Sequence, residues 1–272
     1  MVMSPLRVDA PELKATSAYY DAFADLAEQR YASNPVLVRI RDAFRRAVET
    51  YPARSVLDLG CGPGTDLVWF AARYPGRRYA GVDVSARMVE MARQKFPEGG
   101  VRVERACTED VATVFPGEQF DLVYSFFGPL NTEPDLAGAV RALATVVPPG
   151  GILVLTFVSR VFLLDSLMHL LRGRPQRALA RIRNRWRGYN EVSPLDASLY
   201  FTSDIERSFA GAFDLERREG FSIVYPAWYR VAHFRAQGRL MRSLWVVDRV
   251  LNRTPLWSLG EHLLYVFRRR AP

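Results

Sequence analysis

One stretch constrains what this chain can fold into more than any other: Val56-Leu57-Asp58-Leu59-Gly60-Cys61-Gly62-Pro63-Gly64-Thr65-Asp66. An apolar run stops at an acid, breaks into three alternating glycines, and passes at once into the helical spacing of Leu67, Val68, Phe70 and Ala71. That order reads as a buried strand, a tight turn and the start of a helix. Glycine is needed in such a turn, where the backbone takes positive φ and a ligand must come close to it. The free N–H groups of the helix start suit a polar or anionic ligand group. The stretch reads as a nucleotide-cofactor turn, and the rest of the chain decides which cofactor.

Residues 12–50 carry apolar positions at three and four residue spacing in two runs, Tyr19 to Ala27 and Val36 to Val48, separated by Asn34-Pro35. They read as two helices, with Arg39, Arg41, Asp42, Arg45 and Arg46 on a solvated face. From residue 55 strands alternate with helices: strands Ser55–Leu59, Tyr79–Val84, Val101–Arg105, Phe120–Ser125 and Ile152–Val158, helices 65–74, 86–96 and 132–147. Ser85 reads as the N-cap of the second of these helices. A capped helix at 202–209, a long strand Phe213–Val224 and a last strand His262–Arg269 follow. This alternation predicts a doubly wound α/β sheet. Its ligand belongs at the carboxyl ends of the strands, so Asp58, Gly60, Asp83, the segment after Arg105 and Ser125 should converge on one site.

Two interruptions, 159–200 and 226–260, leave the carboxyl ends of the fifth and sixth strands. They read as helical insertions that cap the site, not as a separate domain. The 272 residues then form one domain: N-terminal helices 1–52, core 53–158, the two caps, and closing elements 201–225 and 261–272. Hydrophobic content of 49% supplies a core large enough for that. Two cysteines, Cys61 and Cys107, are too few for a disulfide framework. With no signal-like start and no apolar run near the ~18 residues of a membrane span, the chain reads as soluble and cytoplasmic.

The glycines fall at 60, 62 and 64, one residue short of the dinucleotide G-x-G-x-x-G spacing. With Asp58 they instead resemble the first motif of the class I S-adenosylmethionine-dependent methyltransferases, an acid followed by G-x-G-x-G. The resemblance continues through Gly81-Val82-Asp83-Val84-Ser85 with Met88, Phe120-Asp121, and Pro149-Gly150-Gly151. It covers residues 50–158, and more loosely the closing strands. It implies a seven-stranded, mostly parallel sheet of order 3-2-1-4-5-7-6 with an antiparallel last strand. The implied cofactor is S-adenosylmethionine, and no metal is implied. Gly60, Cys61, Gly62 and Gly64 would leave room for its methionine and ribose. Asp58 would face the ammonium, and Asp83 would accept both ribose hydroxyls. Val84 and Met88 would flank the adenine, and Tyr20 would close over the cofactor from the N-terminal helices. An acid commonly follows the third strand in this family. One register here places Cys107 at that position and another Glu109, with the Thr108 backbone beside them.

For the acceptor, the aromatics of the caps suggest an apolar or lipid-like small molecule. His233, among those aromatics, is the candidate catalytic base, whereas His262 reads as structural. Arg172, Arg174, Arg177, Arg181, Arg183, Arg185 and Arg187 form an acid-free run. On one helix, four of them would make a stripe suited to a membrane surface or a carrier protein. That would place the protein peripherally at a membrane. Nucleic acid is disfavoured, because no appended binding module is present. Methyl transfer is the leading reading. The same scaffold could instead use the cofactor's charge to promote a cyclisation, or serve as a cofactor-binding protein recruited by its basic segment.

Overall fold

The computed structural model describes residues 6–184, 195, 197–233 and 238–271, with backbone alone at 231–233. Two helices, α1 (Pro11–Ser33) and α2 (Pro35–Glu49), precede the sheet. Their break is local chemistry. The Asn34 side chain accepts from the N–H groups of Val36 and Leu37 at 3.1 and 3.2 Å, and Pro35 opens α2 where its missing N–H costs nothing. The core follows as β1 (Ser55–Leu59), α3 (Thr65–Arg73), β2 (Arg78–Asp83), α4 (Ala86–Gln94), β3 (Val101–Arg105), β4 (Leu122–Ser125), α5 (Leu136–Val146) and β5 (Ile152–Val158). The sheet runs β3-β2-β1-β4-β5-β7-β6, the expected order; here β6 is Phe213–Phe221 and β7 is His262–Arg269. Strand β7 lies antiparallel to both of its neighbours.

Alternate residues of each strand feed two cores, as the twofold strand period requires. Leu57, Val123 and Leu155 pack against α5 on one face, and Val56, Tyr124 and Val154 pack against α2 and α3 on the other. Every residue of β1 and β5 is buried, which is why these strands read as unbroken apolar runs.

Three elements depart from expectation. Helix α5 starts at Leu136, because a 3-10 turn at Pro129–Asn131 intervenes. Buried Asn131 holds that turn by accepting from Val158 N–H at 2.8 Å and donating to the Ser198 carbonyl at 2.7 Å. Strand β6 stops at Phe221. Ser222 is left-handed, with φ of 59°, and the buried Asp248 carboxylate accepts from the N–H groups of Ser222, Val224 and Tyr225. The arginine stripe is not one helix. The first insertion holds α6 (Leu163–Leu171), a reversal at Gly173, and one helical turn at Pro175–Ala178. Arg181 is buried beneath it, beside Glu261. Arg185, Trp186 and Arg187 lie outside the described residues.

Helix α7 (Thr202–Phe209) precedes β6, and α8 (Arg239–Leu251) forms the body of the second insertion. Among the described residues no helix is long and apolar enough to cross a membrane.

Candidate active site

The glycine turn forms the floor of a cavity at the strand carboxyl ends. Gly60 and Gly62 take φ of 68° and 53°, so a side chain would be strained at either. At Gly60 a Cβ would also stand 2.4 Å from Pro129 Cγ. Asp83, at the end of β2, fixes the turn. Its Oδ2 accepts from Gly62 N–H at 2.8 Å and its Oδ1 from Ser85 N–H at 2.9 Å. Ser85 caps α4 by accepting from Met88 N–H, which sets Met88 against the cavity. Burial raises the Asp83 carboxyl to about 6.

The cavity encloses about 950 Å³ of empty space, its open mouth included, and its ends differ in chemistry. One end is charged: Asp58, Asp66, Arg41 and Tyr31 line it. Burial, then the neighbouring Asp66 carboxylate, pushes the Asp58 carboxyl well up. Arg45 Nε donates to Asp66 at 2.7 Å, and Arg41 Nε lies 3.7 Å from the same carboxylate. The solvated face expected for these arginines is therefore wrong; α2 turns them onto an acid at the start of α3. The other end combines Val84, Met88, Ala106, Thr108 and Glu133. Glu133 accepts from Thr108 N–H at 2.7 Å through Oε1, while its buried Oε2 has no partner among the described residues.

Of the residues picked out by sequence, Tyr20, Asp58, Gly60, Cys61, Gly62, Asp83, Val84, Met88 and Thr108 line this cavity, and four do not. Gly64 N-caps α3 in a left-handed conformation, with its Cβ position 3.1 Å from Ala92. Ser125 is spent within the sheet, donating to the Leu59 carbonyl at 2.9 Å. Cys107 turns underneath, its thiol 3.3 Å from Asp110, the acid that accepts from Arg7 and Val8 N–H. Glu109 pairs with Arg7 at 3.5 Å. An acid does reach the third-strand end of the cavity, but it is Glu133, from the loop after β4. No local signal announced it.

A second cavity of about 740 Å³ adjoins the first, and the two share Tyr20, Phe23, Tyr31, Phe127 and Thr132. Phe127 stands between them in a left-handed conformation, with φ of 63°. Such a conformation costs a bulky residue roughly 1–3 kcal/mol and persists only where its surroundings impose it. Tyr31, Phe44 and His262 pack around its ring with centroids 5.3–5.7 Å away.

His262, read from the sequence as structural, is buried and also lines this second cavity, with both ring nitrogens unpartnered among the described residues. Burial, then the charge of Arg181, lowers it to about 3 and leaves it neutral. At the mouth, the exposed Arg30 lies over the rings of Phe23 and Trp228 at 5.3 and 4.6 Å. The backbone of His233 closes a 3-10 turn at Trp228–His233, and its side chain lies outside the described residues.

Fold and site together define an α/β protein with a cavity over a glycine turn, beside a second chamber. Comparison with known proteins makes the class specific. Residues 56–151 match the family model described as a methyltransferase domain. The chain is 32% identical over 162 residues to the trans-aconitate 2-methyltransferase of Azoarcus sp. strain BH72, covering 59% of this chain and 58% of that one. It is 29% identical over 169 residues to the aklanonic acid methyltransferase DauC of Streptomyces sp. strain C5, covering 60% and 76%. Among solved structures, the 4+2 cyclase SpnF shares the fold with a TM-score of 0.60 at 17% identity, covering 99% of this chain and 98% of that one. Residues 56–151 thus resemble the methyltransferase domain of class I S-adenosylmethionine-dependent enzymes, and S-adenosylmethionine is the cofactor that this likeness supports. It spans less than two thirds of the length of the first trans-aconitate relatives.

Proposed function

We propose that this chain transfers the methyl group of S-adenosylmethionine to a nucleophile on a small, partly apolar acceptor held in the second cavity. The observation that carries this reading is the shared wall: one cavity suits the cofactor and the other opens from it through Tyr20, Tyr31 and Phe127. When bound, the cofactor supplies a methyl group on a cationic sulfur, open to in-line displacement. The chain's own residues bind and align. Asp83 accepts the ribose hydroxyls, and Val84 and Met88 flank the adenine. Asp58 meets the ammonium, and Arg41, missed in the sequence, meets the carboxylate. The aromatic wall excludes water from the transfer path. His262, neutral at working pH, orients an acceptor O–H or N–H. So weak a base is a poor store for the departing proton.

Glu133 supports a specific account of the adenine end. Its Oε2, unpartnered among the described residues, would accept from the exocyclic amino group, whereas the Cys107 thiol turns toward Asp110. Glu133→Gln is expected to weaken S-adenosylhomocysteine by roughly tenfold, the scale of one hydrogen bond to a charged group. Affinity for S-inosylhomocysteine, which lacks that amino group, should stay level. Equal loss for both ligands would leave Glu133 with no role beyond bracing Thr108.

Two relatives are named for acids, and Arg30 at the second mouth has no ion-pair partner among the described residues. An acceptor bearing a carboxylate beside its apolar part fits that arrangement. Incubation with trans-aconitate, 4-hydroxybenzoate and longer-chain aromatic hydroxy acids, followed by mass spectrometry, tests the reading. A methylated product with equimolar S-adenosylhomocysteine is expected. A rearranged product without S-adenosylhomocysteine would establish the cyclisation reading instead.

A further inference from the structure

Helix α6 presents an apolar stripe to solvent. Leu163, Leu167, Leu170 and Leu171 recur at i, i+4, i+7 and i+8 and are 51%, 48%, 53% and 79% exposed; no residue of the helix is buried. Its orientation is fixed from the other side. Asp165 accepts from the Tyr229 hydroxyl at 3.0 Å and pairs with Arg230, and Ser166 donates to the Ala178 carbonyl at 2.9 Å. The leucines are therefore held outward by a polar underside. Exposed clusters of this kind mark contact surfaces.

The chemistry around the stripe identifies what it meets. Directly after it come Arg172, Arg174 and Arg177, all exposed, around the reversal at Gly173. No Asp or Glu occurs between Asp165 and Glu191, and the chain as a whole carries +8. The surface is an exposed leucine stripe followed directly by cations. A second copy docking through the same face would bring two arginine clusters together, which like charges oppose. An anionic bilayer offers both halves of the complement: acyl chains for the leucines and headgroups for the arginines.

We propose that α6 and the arginine turn after it dock this protein on an anionic lipid surface. The helix begins five residues beyond Val158, which lines the second cavity. Its partner Tyr229 follows Trp228 of the same wall, so the docked face lies beside the acceptor chamber. Docking itself does not depend on methyl transfer.

Co-sedimentation of the full chain with vesicles of phosphatidylcholine, alone or with about a third phosphatidylglycerol, tests the proposal. The wild-type chain should pellet several-fold more with the anionic vesicles, and high salt should reduce that. Leu167→Glu with Leu171→Glu should abolish pelleting at low salt, and replacing Arg172, Arg174 and Arg177 by glutamate should do the same. All of these positions are exposed, and retained S-adenosylhomocysteine binding would verify the fold of the variants. Equal pelleting of wild type and variants, or none by either, would overturn the proposal. So would concentration-dependent dimerisation that the leucine variant removes while vesicle binding is absent.

Discussion

Replacing Asp83 by alanine is expected to lower affinity for S-adenosylhomocysteine at least tenfold, measured by calorimetry. The carboxylate already holds the N–H groups of Gly62 and Ser85, which fixes the turn and the start of α4. Its remaining lone pairs face the cavity, where two ribose hydroxyls can donate to them. Hydrogen bonds to a charged group contribute about 1.5–3 kcal/mol each, so losing one pair already exceeds a factor of ten. Asp83→Asn keeps the shape with one acceptor oxygen and should fall between wild type and alanine.

The same carboxyl gives the binding a pH dependence. Burial raises it to about 6, and only the ionised form accepts from both hydroxyls. Affinity should therefore weaken as pH falls below about 6 and level off above it. Stability runs the other way. The folded carboxyl holds its proton more tightly than an unfolded one, so its contribution is complete below the ordinary carboxylate range and is lost as pH rises through about 6. Paired titrations at about pH 5 and about pH 8 separate the two effects.

Asp66→Ala should produce the largest loss of stability. Its side chain is 9% exposed and faces Arg41 and Arg45, whose side chains are 13% and 11% exposed. Removing one partner of a buried ionic group leaves uncompensated charge and costs about 3–5 kcal/mol. For a chain of this size each kcal/mol lowers Tm by roughly 2–4 °C, so a drop on the order of 10 °C is expected in a thermal melt. Arg46→Ala, on the exposed side of the same helix, should scarcely move it. A melt of Asp66→Ala within about 2 °C of wild type would contradict the assignment of this cluster.

What was legible in the sequence was whatever depends on local chemistry. The glycine turn, the break at Asn34-Pro35, the cap at Ser85, and the alternation of buried strands with helices all act within a few residues. They carried the doubly wound α/β sheet and the place of Asp83 at a strand end, while the strand order came from the family resemblance of the same motifs. What escaped depends on contacts distant in sequence. Charged positions on α2 look alike by spacing, and only the docking of α3 separates Arg41 and Arg45 from the solvated Arg46. Glu133 stands 25 residues from Thr108 and meets it only once the loop after β4 has folded back. His262 sits at the start of a strand whose next five residues are all buried, so no periodicity marked it as facing a chamber. Cys107 followed the family register along the chain, but the turn after β3 points its thiol at Asp110. The arginine run suggested one helix, and Gly173 and Pro175 divide it. Its first three arginines gain meaning from the leucines before them, which spacing alone placed on no particular surface.

In the proposed function, the glycine turn, Asp83 and the polar pocket of Asp58 and Arg41 together hold S-adenosylmethionine. Calorimetric titration of the wild-type chain with S-adenosylhomocysteine tests it most directly. Saturable one-to-one binding, weakened in Asp83→Ala, is the expected result. A well-folded wild-type chain that binds neither S-adenosylhomocysteine nor S-adenosylmethionine would contradict it.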